Sequence, residues 1–219
     1  MKLLFENWRK YLNEGLDERI ERKIKELIEL YPTIAIRIRK AKSDFVYVEY
    51  IDISESDLSN APRAKRNPSS KSPWGDVSIE KDKNNGECSN GWVIYASGTA
   101  RGWGPLLYDI ALEWSSNNGG GLIPDRSSVS EYALNVWNKY LVRSDVNKAQ
   151  LDVDHNVSGG ELKKYQQLTP DNKSDDCNQV SSIKAKGEEW KDSSLSKMYV
   201  KKTPEVINFL KSKGKLTEV

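Results

Sequence analysis

The chain is poor in the residues that most often build metal and nucleophilic centres. Its 219 residues include one histidine and two cysteines. No CxxC pair or Cys/His cluster occurs, and His155, with Asp152 and Asp154 beside it, offers neither the ligand count of a zinc site nor the spacing of a calcium loop. A solvated loop is the preferred interpretation of that stretch. Cys88 and Cys177 lie in polar stretches, which favours an intracellular chain with free thiols and leaves a disulfide open.

Long apolar runs and an excess of one charge are also missing. No segment approaches the roughly 18 to 20 uncharged residues of a membrane span, and residues 1–5 are too short for a signal-peptide core. No membrane partner is therefore expected. The 34 Lys and Arg nearly balance the 32 Asp and Glu, so a nucleic-acid partner is not expected either. Nucleic-acid contact stays a minor alternative to a solvated loop for one basic set, Arg63, Lys65, Arg66 and Lys71.

What the chain does have is aromatic area and periodic apolar patterning. Seven Trp and ten Tyr supply enough area for a sizeable core. The length predicts one globular domain, residues 15–219, after a short N-terminal segment, residues 1–14. Apolar residues at steps of three and four predict an amphipathic helix over residues 3–13 in that segment. A second helix is predicted over residues 16–31, ended by Pro32.

Alternating and β-branched stretches predict antiparallel strands before and after a polar loop. Residues 34–39 and 45–53 are typical of a hairpin. Residues 77–80 and 92–99 read as strands around the turn at Asn84-Asn85-Gly86. A further strand over residues 198–201 and a short helix over residues 204–211 are predicted near the C-terminus.

Residues 91–141 carry the most informative pattern. It predicts four elements in the order strand 92–97, helix 105–115, strand 122–123 and helix 129–141. Such an order implies a parallel pair of strands with a crossover connection. Ser128 and Glu131 have the spacing of a capping box at the start of the last helix. The apolar face of the first helix leaves Asp109 and Glu113 expected in solvent.

A glycine-bearing turn joins that strand to that helix between Thr99 and Pro105. Gly102 and Gly104 let the backbone approach a ligand closely. The free amides and the positive dipole end of the following helix favour an anion at this point. Pro105 suits the first helical turn, although it removes one donor.

The sequence around the turn resembles one family. No GxxxxGK(S/T) loop occurs, and a Rossmann GxGxxG would need a third glycine where Leu107 stands. The stretch 92–141 is similar to the core of the GNAT N-acetyltransferases, whose pyrophosphate turn commonly carries Gln or Arg, then two residues, Gly, one residue, and Gly or Ala. Gly102 and Gly104 match its glycines, whereas Thr99 stands at its first position.

The resemblance implies a fold, a cofactor and a substrate class. The expected fold is α+β, with a mixed, mostly antiparallel sheet, flanking helices and one parallel crossover. The implied cofactor is acetyl-CoA and the implied acceptor is an unidentified amine. Main-chain donors of the strand would stabilise the oxyanion and those of the turn would hold the pyrophosphate. The expected cofactor-binding residues are Tyr95, Ala96, Ser97, Arg101, Gly102, Trp103, Gly104 and Leu106.

The family's following helix commonly carries Ala and, four residues on, a Tyr that serves as general acid. This chain has Ala133 and Trp137 at those places. Tyr140 is the candidate substitute for the acid, and core packing is its alternative interpretation. Asp125 and Glu80 are the candidate bases, and exposed surface charges are the alternative for both.

A second resemblance lies at the N-terminus. Leu12-Asn13-Glu14-Gly15 is similar to sites cut by the prohead proteases of large tailed phages, where a short sorting peptide is removed after Glu. An ordinary joint between two helices is the alternative. The resemblance implies cleavage between Glu14 and Gly15, a prohead protease and head assembly as partners, and a location in the bacterial cytoplasm or the virion interior.

Two functions therefore stand as expectations. The first is an acetyl-CoA-dependent N-acetyltransferase acting on an amine. The second is a non-catalytic phage internal head or binding protein that retains the fold.

Overall fold

The computed structural model describes residues 18–54, 57–62, 73–81, 90–125, 129–153, 176–177, 189–201 and 203–219. Its helices are α1 (Glu18–Glu29), α2 (Gly104–Asn117), α3 (Glu131–Val142), the short α4 (Glu189–Asp192) and α5 (Glu205–Ser212). Its strands are β1 (Ile34–Lys42), β2 (Phe45–Asp52), β3 (Gly75–Lys81), β4 (Trp92–Thr99), β5 (Leu122–Ile123), β6 (Asn147–Gln150), β7 (Asp152–Val153), β8 (Asp176–Cys177), β9 (Lys197–Val200) and β10 (Leu216–Glu218).

Eight of these strands form one mixed sheet. Their order is β10-β1-β2-β3-β4-β5-β9-β6, and β7 and β8 form a separate parallel pair. The β4–β5 pair is parallel, and α2 provides its crossover connection. The fold is therefore the expected α+β, GNAT-like architecture with a mostly antiparallel sheet. A second parallel pair within the sheet, β1 with β10, was not expected.

The main core lies between one face of the sheet and the helices. The apolar residues of β1 at alternate positions, Ile34, Ile36 and Ile38, face this core, as strand periodicity requires. The buried stripe of α1 also contributes to the core, with Ile20, Ile24 and Leu27. Smaller apolar clusters lie on the opposite side of the strands, such as the one around Ala35 and Ile51.

Helix α2 is buried on all sides, contrary to the sequence prediction. It packs against the sheet, α1 and α5. Asp109 and Glu113, both expected in solvent, have no exposed surface. Their charges are compensated by Arg143 and Lys201, which approach from distant parts of the chain.

The start of α3 differs from the predicted capping box. The helix begins at Glu131, and Ser130 is its N-cap, with its hydroxyl accepting a hydrogen bond from the Ala133 amide at 3.2 Å. Ser128 lies outside the described residues. The short helix near the C-terminus follows Pro204 at its N-cap, and β6 and β10 had no prediction.

Several expectations fall outside the described residues: the helix over residues 3–13, the Glu14–Gly15 site, the turn at residues 84–86, Cys88, His155 and the basic set from Arg63 to Lys71. Among the residues that are described, no helix has the length and apolar character needed to cross a membrane.

Candidate active site

A cavity of about 510 Å³ opens at the carboxyl end of β4. One wall is the end of β4, from Ser97 to Thr99, continuing into the glycine-bearing turn. The opposite wall is a face of α3 that includes Ala133, Val136 and Tyr140. Pro105 and Tyr108 of α2 also line the cavity, so three of the four elements of the predicted 91–141 unit meet at one space.

Strand β4 continues towards this cavity beyond the end of its partner β5. Strands β4 and β5 pair only at Trp92 with Leu122 and at Val93 with Ile123. Beyond Val93, no described strand pairs with β4 on its β5 side. On its other side, the register with β3 shifts at Tyr95, where β4 carries one extra residue. A bulge of this kind bends a strand, which favours a cleft between β4 and the elements after β5.

The glycine-bearing turn presents backbone amides to the cavity. Gly102 has a φ of +83°, a conformation that L side chains rarely adopt. Gly104 lies so close to the Thr99 hydroxyl that a Cβ at this position would be 2.9 Å from it. Within the described part of the chain, the amides of Arg101, Gly102 and Gly104 have no hydrogen-bond acceptor, and no side chain caps the start of α2. The start of α2 is therefore open to an anionic ligand.

Trp103 holds the turn from the side of the core. Its side chain is fully buried, with its ring edge-on to Tyr31 at 5.6 Å and to Tyr50 at 6.0 Å. The Tyr50 hydroxyl donates a hydrogen bond to the Trp103 carbonyl at 3.1 Å, and the Trp103 amide donates to the Ala100 carbonyl. Lys23 lies over the indole ring at 4.2 Å. Trp103 is thus an anchor for the turn rather than a lining residue.

The charges that line the cavity are all positive. Arg19, Arg101, Lys139 and Arg143 contribute to the lining, and no described carboxylate does. Arg101 is exposed and next to the open amides. The exposed Arg101 and the dipole of α2 together favour an anion at the turn.

Two buried tyrosines contribute polar groups to the cavity. The Tyr108 hydroxyl donates a hydrogen bond to the Ser97 hydroxyl at 3.0 Å, and burial raises the pKa of Tyr108. The Tyr140 hydroxyl is buried, and the Asp109 carboxylate of α2 lies near it. Burial, and then the charge of Asp109, raise the pKa of Tyr140 well above its ordinary value, so its phenol stays protonated.

A buried ion pair joins α2 to the end of α3 beside these tyrosines. The Arg143 guanidinium contacts the Asp109 carboxylate and donates to Asp145 at 2.6 and 2.9 Å. Burial alone would lower the pKa of Arg143, but the two carboxylates raise it. Arg143 is therefore a fixed cation whose charge is already largely neutralised.

The second buried carboxylate of α2 serves a different helix. Glu113 accepts hydrogen bonds from the Val206 and Ile207 amides at 3.1 and 2.9 Å, and Lys201 lies 3.0 Å from it. Burial raises the pKa of Glu113 to about 7, against the opposing effects of Lys201 and the two amides. Glu113 therefore closes the N-terminus of α5 from within the protein.

Five of the predicted site residues meet at the cavity: Ser97, Arg101, Gly102, Gly104 and Tyr140. Trp103 and Leu106 are buried and do not line it. Tyr95 and Ala96 also lie outside the lining, and the exposed Tyr95 ring packs on Phe45 at 5.2 Å.

The two predicted bases occupy different positions. Asp125 follows β5 and is near enough to Tyr108 for its charge to raise the pKa of that phenol. Glu80 lies on β3, opposite Phe45 and Val93, and does not line the cavity.

Tyr108, Lys139 and Arg143 are among the lining residues that were not predicted as site residues. Tyr108 follows Pro105 by three residues, so helical periodicity could have placed it on the face that looks into the cavity. Arg143 follows the last residue of α3, and no local pattern links it to Asp109.

In the resembling family, the general acid is a Tyr four residues after the Ala that corresponds to Ala133. In this chain that position holds a core residue. Trp137 is buried, and its ring stacks on Tyr199 at a centroid distance of 5.4 Å. Tyr140, one helical turn later, lines the cavity, as does the exposed Tyr132 of the same helix.

No model of a known protein family, no curated protein and no solved structure matches this chain. Its function is therefore inferred from the cavity and from the resemblance around the turn.

Proposed function

We propose that the protein is an acetyl-CoA-dependent N-acetyltransferase that transfers an acetyl group to an amine. The observation that carries the proposal is the open N-terminus of α2. Its unpaired amides at Arg101, Gly102 and Gly104 face a cavity with a positively charged lining. An open helix start of this kind suits a diphosphate.

The residues present fit acetyl-CoA at both ends of the cavity. At the turn, the three open amides and the exposed Arg101 guanidinium would hold the pyrophosphate. At the other wall, Tyr140 lines the cavity, and its phenol stays protonated. Beyond Val93, β4 has no described strand partner on the β5 side, and a narrow chain would lie along this part of the strand.

When bound, acetyl-CoA would supply a thioester whose acyl carbon accepts the amine and whose sulfur leaves. The Tyr140 phenol, kept protonated by burial and by Asp109, would donate its Oη proton where the sulfur departs. Main-chain donors of β4 near Tyr95–Ser97, on the side without a strand partner, would stabilise the oxyanion. Asp125 and Glu80 stay the candidate bases for the amine proton, and Asp125 is the one whose charge acts on a lining residue.

Ligand binding tests this function directly. Acetyl-CoA should raise the melting temperature and slow hydrogen exchange at the amides of Arg101, Gly102 and Gly104. Acetylated pantetheine, which has the thioester but no diphosphate, is the matched control and should leave those three amides unprotected. If acetyl-CoA changes neither the melting temperature nor the exchange of these amides, the proposal is wrong.

The second candidate is a non-catalytic phage head or binding protein with the same fold. Two departures from the family pattern favour it: Thr99 at the first position of the turn and the buried Trp137 at the place of the acid. Binding of acetyl-CoA without acetyl transfer to any of a panel of amines would support this candidate over the enzyme.

The N-terminal segment has its own test. In the proposed assembly, a prohead protease cuts between Glu14 and Gly15 and the protein enters the virion. Intact-mass measurement of the protein from purified particles should then give a chain that starts at Gly15. A chain that still carries residues 1–14 in mature particles would contradict the sorting-peptide proposal without affecting the acetyltransferase proposal.

A further inference from the structure

The bulge in β4 turns the Ser97 side chain towards the helices. Before the bulge, Ile94 pairs with Ile79 of β3 and faces the main core. Tyr95 is the extra residue, and Ser97 then pairs with Val77, which also belongs to the main core. Directly opposite residues of an antiparallel pair share one face of the sheet. Regular alternation from Ile94 would have put residue 97 on the other face, so the bulge is what brings a hydroxyl to the helix side.

The Tyr108 hydroxyl of α2 meets this serine at the cavity. The two hydroxyl oxygens are 3.0 Å apart, and both residues line the cavity. The Tyr108 side chain is buried, and its ring lies edge-on to the buried indole of Trp137 at a centroid distance of 5.7 Å. Ser97, in contrast, is exposed. The phenol is therefore fixed from inside the protein, and the serine is the more accessible of the two hydroxyls.

The pairing of the two hydroxyls leaves one proton for a ligand. Each hydroxyl has a single proton to donate and can also accept. The phenol is the stronger acid and hence the better donor, so Tyr108 donates and Ser97 accepts. The Ser97 proton then has no acceptor among the described residues. Hydrogen bonds in series polarise one another, so a serine that accepts from a phenol is itself a better donor.

We propose that Ser97 is a catalytic residue whose hydroxyl donates a hydrogen bond to the acyl oxygen of the bound thioester, with Tyr108 as its positioning residue. This role rests on the proposed function, in which main-chain donors of the same part of β4 stabilise that oxygen. The acyl oxygen gains negative charge while the amine attacks and loses it when the carbon–sulfur bond breaks, so a fixed donor lowers the barrier. Ser97 keeps its proton throughout, and Tyr108 does not touch the reacting atoms.

Ser130 offers a matched control in the same cavity. It also lines the cavity, but its hydroxyl accepts a hydrogen bond from the Ala133 amide at the start of α3. Ser97→Ala and Ser130→Ala each remove one hydroxyl from the lining, and only Ser97→Ala removes the one held by Tyr108. Because Ser97 is exposed, its replacement by alanine leaves the core intact and the protein should fold.

The test reads the acyl oxygen directly, without turnover. Acetyl-CoA with an isotope label at the acyl carbonyl is bound to each protein in the absence of any amine, and isotope-difference infrared spectroscopy isolates the carbonyl stretch. A hydrogen bond to a carbonyl oxygen lowers this frequency, so the stretch should be higher in Ser97→Ala than in wild type and unchanged in Ser130→Ala. Ser97→Thr, which keeps a γ-hydroxyl, should restore the lower frequency. Affinity for acetyl-CoA should stay within about tenfold of wild type in Ser97→Ala, while kcat with an amine acceptor should fall by about 100-fold.

Tyr108→Phe tests the positioning role. It keeps the ring that packs on Trp137 and removes only the hydroxyl. The carbonyl frequency should rise part of the way towards that of Ser97→Ala, because the serine is no longer held, and the double variant should not exceed Ser97→Ala. In the ligand-free protein, a fluorotyrosine at position 108 should change its fluorine chemical shift in Ser97→Ala and not in Ser130→Ala, since only Ser97 contacts that hydroxyl.

The outcomes separate this role from the proposed function. If acetyl-CoA binds and protects the amides of the turn, but its carbonyl frequency is the same in Ser97→Ala and wild type, the role of Ser97 is wrong and the proposed function stands. A wild-type frequency in Tyr108→Phe would overturn the positioning role of Tyr108. Failure of acetyl-CoA to bind would contradict the proposed function, and the role of Ser97 at an acyl oxygen would fall with it. The fluorine comparison would then still show whether the two hydroxyls are paired.

Discussion

The N-termini of α2 and α5 show two outcomes of the same backbone chemistry. Both helices begin with amides that have no partner within the helix. In α5, the amides of Val206 and Ile207 donate to the buried carboxylate of Glu113. In α2, the amides at Gly102 and Gly104 have no acceptor among the described residues and face the cavity.

Helix α3 lies between these extremes. Its N-cap, Ser130, accepts one hydrogen bond from the Ala133 amide with a neutral hydroxyl. The three helices thus start with a buried internal anion, a neutral cap and no cap. The difference indicates that α2 leaves the position of an anion open for a molecule that is not part of the chain.

Removal of the internal anion should give the largest effect. Glu113→Ala leaves Lys201 buried without its closest carboxylate and removes the acceptor of two α5 amides. The free energy of unfolding should fall by about 3 to 5 kcal/mol, as measured by urea denaturation. Affinity of the folded protein for acetyl-CoA should stay within about twofold of wild type, because Glu113 does not line the cavity. A loss of affinity as large as the loss of stability would mean that the two helix starts are coupled.

Addition of an anion at the open helix start should give the next largest effect. Thr99→Asp places a carboxylate next to Gly104, as Glu113 is placed for α5. Acetyl-CoA affinity, measured by calorimetry, should fall by about 100-fold through repulsion of the diphosphate. The free protein should gain up to about 1 kcal/mol from the new charge at the helix start.

Thr99→Asn is the matched control for this change. It has nearly the same shape as Asp and can accept a hydrogen bond, but it carries no charge. Its affinity should stay within about threefold of wild type. If both variants bind equally well, charge at the start of α2 has no part in ligand binding, and the comparison with α5 fails.

The buried anion should also make stability depend on pH. In the folded protein the pKa of Glu113 is about 7, against 4.5 for an ordinary glutamate. The folded state therefore binds this proton more tightly than the unfolded chain, and the contribution of Glu113 to stability falls as pH rises between these values. Relative to Glu113→Gln, wild type should lose about 2 kcal/mol of unfolding free energy from pH 4.5 to pH 7.

Urea denaturation of wild type and Glu113→Gln from pH 4.5 to pH 7 measures this difference in unfolding free energy. The other titrating groups are the same in both proteins, so their contributions cancel to first order. A difference between wild type and Glu113→Gln that is constant with pH would show that Glu113 is ionised in both states. The N-terminus of α5 would then be capped by a Glu113 carboxylate that stays ionised throughout this pH range.

The neutral cap should have the smallest effect. Ser130→Ala removes the side-chain acceptor at the start of α3 and should lower the free energy of unfolding by about 1 kcal/mol, measured thermally or in urea. Ser130→Gly should cost less, because glycine at an N-cap leaves the amides open to water. An equal loss in both variants would indicate that the serine acts through the cavity wall and not as a cap.

Much of the fold follows from local patterns. The unit from β4 to α3 was predicted within a few residues at each boundary, since apolar periodicity marks its elements. The turn was found because Gly102 and Gly104 stand between a strand and a helix. Strand β10 was not predicted, because three residues are too few to show the alternation of apolar and polar residues that marks a strand. Its position beside β1 is set by tertiary packing.

The charged residues of α2 show where local reasoning fails. Asp109 and Glu113 occupy positions that helical periodicity assigns to solvent, but α1, α5 and the sheet enclose the helix. Their partners come from elsewhere in the chain, and Arg143 is 34 residues from Asp109. No window of sequence contains both members of such a pair, so neither the burial nor the compensation is visible before folding.

The way Trp103 fixes the glycine-bearing turn determines how a ligand would associate with it. The indole is enclosed by Tyr31, Tyr50 and Lys23, and the turn's backbone is tied to the Tyr50 hydroxyl. The loop conformation is thus preorganised during folding, and a ligand loses no affinity to ordering it. Association should then proceed in a single kinetic phase, with a rate that rises linearly with ligand concentration and shows no slow rearrangement step.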